Sequence, residues 1–146
     1  PWLKLPSTMG NNSMQPKKIE VVSEWMRKAA EDLKGSEILL ANKPPLTDLA
    51  GFHAQQAAEK SFKAFLIFHD IKFGKIHDLE IIGKLIHGID PSLDVIVKKA
   101  IPLTPFAVKI RYPGEDDPLT ADEIEVVLET AKEVYAEILK RLPKLE

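Results

Sequence analysis

His53, Gln56, Lys60 and Lys63 recur at spacings of three and four along one stretch of the chain. On a helix that spacing lines up an imidazole, a carboxamide and two ammonium groups in a single stripe. A cation and an amide donor on an otherwise apolar helix can hold a phosphate or pair with a carboxylate. The same stripe would also serve as a face turned to solvent or to a partner. Two other places carry polar chemistry. In His77-Asp78 the aspartate has the position of a helix cap, and the free N–H groups beyond it can attract an anion. Arg111-Tyr112-Pro113 lies beside Glu115, Asp116 and Asp117. Arg111 there either pairs with those carboxylates or offers its planar fork to a phosphate, with Tyr112 packing beside it.

Most catalytic signatures are missing. The chain has no P-loop, no GxGxxG, no nucleophile elbow and no HExxH. It has no cysteine, which excludes disulfide frameworks and thiolate metal sites. His69 and His77 are separated by a glycine-bearing linker, so they are not a ligand pair on one helical face. No catalytic residue, metal site or firm cofactor is predicted. The formal net charge is −2, from 20 basic and 22 acidic side chains. That balance does not suit a protein that wraps nucleic acid without regard to sequence, though it leaves room for a local basic groove.

The elements that would position these groups are helical. Val22, Met26, Ala29, Leu33, Ser36 and Leu40 recur every three or four residues and predict a first helix from about Glu20 to Leu40, ended by Pro44-Pro45. The polar stripe lies on a second helix, about Asp48 to His69, with Thr47 as its N-cap. Ala50, Ala54, Ala57, Ser61 and Ala64 form a row of small residues there, beside the bulkier Ala58, Phe62 and Phe65. Small residues admit close neighbours, so this helix should be central. Trp25 and the phenylalanines 62, 65 and 68 read as core.

A linker over residues 71–76 leads to a third helix, about Asp78 to His87, stopped by Gly88. Asp90-Pro91 opens a fourth, about Pro91 to Ile101, which Pro102 ends. Thr104-Pro105 repeats the signal for a short helical piece through about Ile110. Thr120 and Glu123 form a capping box for the last helix, which buries Ile124, Val127, Ala131, Val134 and Ile138 and runs to about Leu142. No strand pattern or internal repeat occurs. The prediction is an all-α, antiparallel up-and-down bundle of four to five helices, with a short extra helical piece before the last.

Residues 1–15 are expected to be a disordered or added leader, and 16–146 a single domain. Pro1 to Ser13 lacks the continuous apolar region of a signal peptide. No apolar run approaches the roughly 20 residues needed to cross a bilayer. With the absence of cysteine, these features fit a cytoplasmic protein and predict no membrane partner.

The run Phe52-His53-Ala54-Gln55-Gln56-Ala57-Ala58-Glu59-Lys60 resembles the signature of the HEPN family. His77-Asp78-Leu79 and Arg111-Tyr112-Pro113 follow in the family's order, and the similar stretch spans about Trp25 to Leu142. The resemblance implies a helical bundle, often a homodimer, that accompanies minimal nucleotidyltransferases, in toxin–antitoxin or related systems, and helps bind nucleotide. It nominates His53, Lys60, His77, Arg111 and Tyr112, which join Gln56 of the stripe as candidate nucleotide- or partner-binding residues; no cofactor is firmly implied, and ATP and GTP are the candidate ligands. Another branch of the family cleaves RNA without metal through an arginine followed four to six residues later by histidine. Arg111 is followed by Tyr112, Pro113, Gly114, Glu115, Asp116, Asp117 and Pro118, with no histidine. The general acid or base for a 2′-hydroxyl is therefore missing at that place, and the acidic loop repels RNA. A non-catalytic module is the favoured expectation. A ribonuclease with an atypical site around His53, His77 and Arg111, and a purely protein-binding bundle, are the alternatives.

Overall fold

The computed structural model describes residues 15–107, 113–114 and 118–145. Apart from Gln15, the expected leader lies outside the described residues. Among these residues five α-helices occur, in the order α1 (Gln15–Ala41), α2 (Thr47–Phe68), α3 (Leu79–His87), α4 (Asp94–Ala100) and α5 (Ala121–Lys140). Two 3-10 segments, Pro91–Leu93 and Ile101–Ala107, flank α4. No strand occurs among the described residues. The fold is the expected all-α bundle.

α1 and α2 pair antiparallel along their length. Lys18 reaches the carbonyl of Phe68, Asp32 meets His53 and Lys60, and the Ser36 hydroxyl donates to the carbonyl of Ala50. The small residues of α2 make this closeness possible: Ala50, Ala54, Ala57, Ser61 and Ala64 are all buried. Packed on α1, α5, α3 and the second 3-10 segment, α2 is the central helix of the bundle. The core joins Phe62, Phe65 and Leu66 of α2 with Met26 of α1, Ile82 and Ile86 of α3 and Val134 and Ile138 of α5. Burying each such side chain is worth about 1.5–3 kcal/mol, and this is what holds the helices together.

α1 begins five residues earlier than the apolar periodicity suggested. Its first turns dock on the end of α2, where the buried Lys18 ammonium donates to Phe68 O at 3.2 Å and to Asp70 at 3.0 Å. Thr47 is not the cap of α2. It is the first helical residue, and the cap position belongs to Leu46, which supplies no side-chain bond.

α3 starts as predicted, with the Asp78 carboxylate accepting from Glu80 N–H at 2.9 Å. Thr104 also serves α3. Its hydroxyl oxygen accepts from Leu79 N–H at 3.1 Å. That corrects its expected role as the cap of a separate piece. Pro102 ends the α geometry but not the helical path, which tightens to 3-10 and continues through Pro105 to Ala107. The rest of the expected piece, residues 108–110, lies outside the described residues. Gly83 lets α3 and α4 touch, since a β-carbon there would come within 2.3 Å of Val97 Cγ1.

α5 has both bonds of its capping box, Glu123 N–H to the Thr120 hydroxyl oxygen and Thr120 N–H to the Glu123 carboxylate, each 3.1 Å. Its buried face is Ile124, Leu128, Ala131, Val134 and Ile138. Val127 is only half-buried, because a rotation of one residue along the stripe brings Leu128 inward.

Candidate functional site: a lysine-rich cleft on the central helix

The polar stripe of α2 divides between two carboxylates. Asp32, on α1, accepts from Lys60 Nζ and takes His53 Nδ1 at 2.9 Å. Glu59, on α2 itself, takes three partners. Lys63 Nζ and His77 Nδ1 each lie 3.0 Å from Oε2, and Gln55 Nε2 donates to Oε1 at 3.1 Å. Gln56 Nε2 in turn donates to Gln55 Oε1 at 2.8 Å. A buried carboxylate survives in a bundle when its lone pairs are filled in this way.

Lys63 is wholly buried and Glu59 is 4 % exposed. Of the readings open for the stripe, Lys63 takes the pairing with a carboxylate and does not face solvent. Burial pushes the Lys63 ammonium below the ordinary lysine range, against the pull of Glu59. The Phe73 ring, 5.2 Å from Nζ, adds a cation–π contact.

Around this network lies a cleft of about 460 Å³, lined by Trp25 of α1, by Gln56, Glu59, Lys60 and Lys63 of α2, and by Lys75 and His77 of the linker before α3. The size lies within the roughly 300–1,000 Å³ of small-ligand sites. Trp25 is half-buried, meets Phe73 edge-on at 6.1 Å and lines the cleft, so it is not simply core. Phe62 and Phe65 are core, and Phe68 is half-buried against it.

Of the nominated residues, Gln56, Lys60 and His77 therefore share one cleft. His53 does not line it. It sits one helical step away on the Asp32 side, beside Gly35 of α1 and with the Phe52 ring edge-on at 5.3 Å. Arg111 and Tyr112 lie outside the described residues. Sequence reasoning missed Asp32, Glu59, Trp25 and Lys75. The Glu59–Lys63 spacing of four was the one local signal available. Among the described residues no group of three or more His, Cys, Asp or Glu side chains could hold a metal. No helix there is long and apolar enough to cross a membrane.

The fold and cleft define a helical-bundle module with a cationic pocket on its central helix. The family model of the HEPN domain matches residues 22–142, and the chain belongs to that family. Two solved structures share the fold. ST0689, described as an archaeal HEPN homologue, is 21 % identical with a TM-score of 0.66, over 82 % of this chain and 96 % of that one. TT1696 from Thermus thermophilus is 24 % identical with a TM-score of 0.65, over 83 % of this chain and 98 % of that one. No curated protein matches.

Proposed function

We propose that the chain is a non-catalytic nucleotide-binding module, acting in the cytoplasm as a homodimer beside a minimal nucleotidyltransferase of a toxin–antitoxin or related system. The observation that carries the ligand half of this reading is the cleft, where Lys60, Lys75 and His77 surround a pocket of nucleotide size next to the Trp25 indole. Ammonium and imidazolium groups bind phosphate oxygens, and an indole face accepts a base. The partner half rests on family membership, and the compartment on the cysteine-free composition.

Calorimetric titration of ATP and GTP into the purified chain, with and without magnesium, tests the ligand half. Saturable binding that weakens in Lys60→Ala and Arg111→Ala, both still folded by thermal melting, is the expected result. Unchanged affinity in both variants would remove the site assignment.

One observation favours a second reading, an atypical metal-independent ribonuclease. Asp32 fixes His53 through Nδ1, an arrangement that can orient an imidazole as general acid or base. Cleavage of mixed RNA in the presence of chelator, lost in His53→Ala, would establish it over the first.

A further inference from the structure

The lysines that line the cleft can only donate hydrogen bonds, whereas Gln56 beside them can donate or accept. Two hydrogen bonds decide which way its carboxamide is turned. Gln55 Nε2 donates to Glu59 Oε1 at 3.1 Å. A carboxylate only accepts, so Gln55 must present its NH2 group to Glu59 and carry its carbonyl on the other side. Gln55 is wholly buried, and that carbonyl needs a donor within the protein. Gln56 Nε2 supplies it at 2.8 Å. The polarity set by Glu59 thus passes through Gln55 and fixes Gln56 with its nitrogen on Gln55. Among the described residues Gln56 Oε1 takes no bond, and neither does the second amide hydrogen.

Gln56 therefore brings to the cleft a carbonyl acceptor with an N–H donor next to it. Phosphate oxygens accept, so they suit Lys60 and Lys75 and not this carbonyl. The carbonyl suits an N–H on the ligand. Adenine carries such a group, its 6-amino N–H, beside the N7 acceptor, and a glutamine side chain pairs with both. The same edge of guanine carries two acceptors, O6 and N7. The Trp25 indole lines the same cleft, with the Phe73 ring edge-on to it at 6.1 Å, and gives a flat base an aromatic neighbour.

We propose that Gln56 is the base-reading residue of this cleft and that the ligand is an adenine nucleotide, recognised through its 6-amino group. The proposal rests on the cleft being the nucleotide site, as read above.

Calorimetry on the full chain, with ATP and purine riboside 5′-triphosphate as paired ligands, tests it. The two share phosphates, sugar and ring nitrogens and differ in the amino group alone. The wild-type chain should bind ATP about tenfold more tightly than the purine analogue, as expected for one well-placed base contact. In Gln56→Met, which keeps the length of the side chain without its polar atoms, ATP should fall to the level of the analogue. Gln56→Ala gives the same readout if thermal melting shows the methionine variant unfolded. Lys60→Ala should weaken both ligands alike, because it acts on the phosphates they share. Equal affinities for the two ligands in wild type, or a preference for ATP that survives in the folded Gln56 variant, would overturn the base reading while leaving the cleft as a phosphate site. Binding of GTP as tight as that of ATP would overturn the choice of adenine. No binding of any of the three would remove the nucleotide site, and the base reading with it.

Discussion

Asp32 on α1 and Glu59 on α2 each take one lysine and one histidine. They differ in where those partners come from. Asp32 reaches across to the next helix, so its bonds to Lys60 and His53 tie α1 to α2. Glu59 finds Lys63 four residues along its own helix, and His77 on the linker. Its bonds fix a wall of the cleft. They differ also in depth. The Asp32 side chain is 12 % exposed and its partners reach solvent, whereas Lys63 is wholly buried. Similar chemistry thus does two jobs, joining helices at the margin and shaping a binding surface from within.

Removing one carboxylate should separate the two roles. Glu59→Leu removes the carboxylate 3.0 Å from the buried Lys63 ammonium, and breaking a buried pair from one side costs about 3–5 kcal/mol. Chemical denaturation should show a loss of that order, and Glu59→Leu combined with Lys63→Leu should recover most of it. A single variant as stable as wild type would mean that Glu59 does not compensate Lys63. The pH dependence has a definite sign. Burial lowers the Lys63 pKa in the folded state, so the unfolded chain holds the proton more tightly between the lowered value and the ordinary one. Stability from this group therefore rises as pH climbs through that window toward about 10.4. Lys63→Met should flatten the rise in a series of alkaline melts.

Asp32→Asn should cost less, about 1–2 kcal/mol, because its partners stay hydrated when the charge is lost. The loss should shrink in high salt, which screens exposed pairs and hardly touches buried ones. If Asp32→Asn destabilises more than Glu59→Leu, depth does not separate the two triplets.

The contrast also explains what could be read from the sequence. Helices with strong periodicity and local caps were legible: α3 from Asp78, α5 from Thr120 and Glu123, and α2 from its small and bulky rows. The stripe on α2 was legible as a stripe, and so was the grouping of Gln56, Lys60 and His77 as candidates. Their partners were not. Asp32 is 21 residues from His53 and 28 from Lys60, so no local spacing reveals the contact. The burial of Lys63 depends on Phe73 and the linker folding back over α2, and Thr104 caps α3 from 25 residues away. Charge identity is local information, whereas depth and counterions are properties of the packed bundle.

The smallest expected effect is a gain, and it tests whether the Asp32 side is packed for stability alone. Gly35 lies inside α1 opposite His53, and a helix-interior glycine costs about 1 kcal/mol relative to alanine. A β-carbon at this position would lie 3.9 Å from the His53 ring carbon Cγ, an ordinary contact that asks nothing to move. Gly35→Ala should therefore stabilise the chain by about 0.5–1 kcal/mol in denaturant titration. ATP affinity should stay unchanged, because His53 does not line the cleft. A change in ATP affinity would show that the helix joint and the cleft are coupled through Asp32 and Lys60, and the division of labour between the two carboxylates would fail.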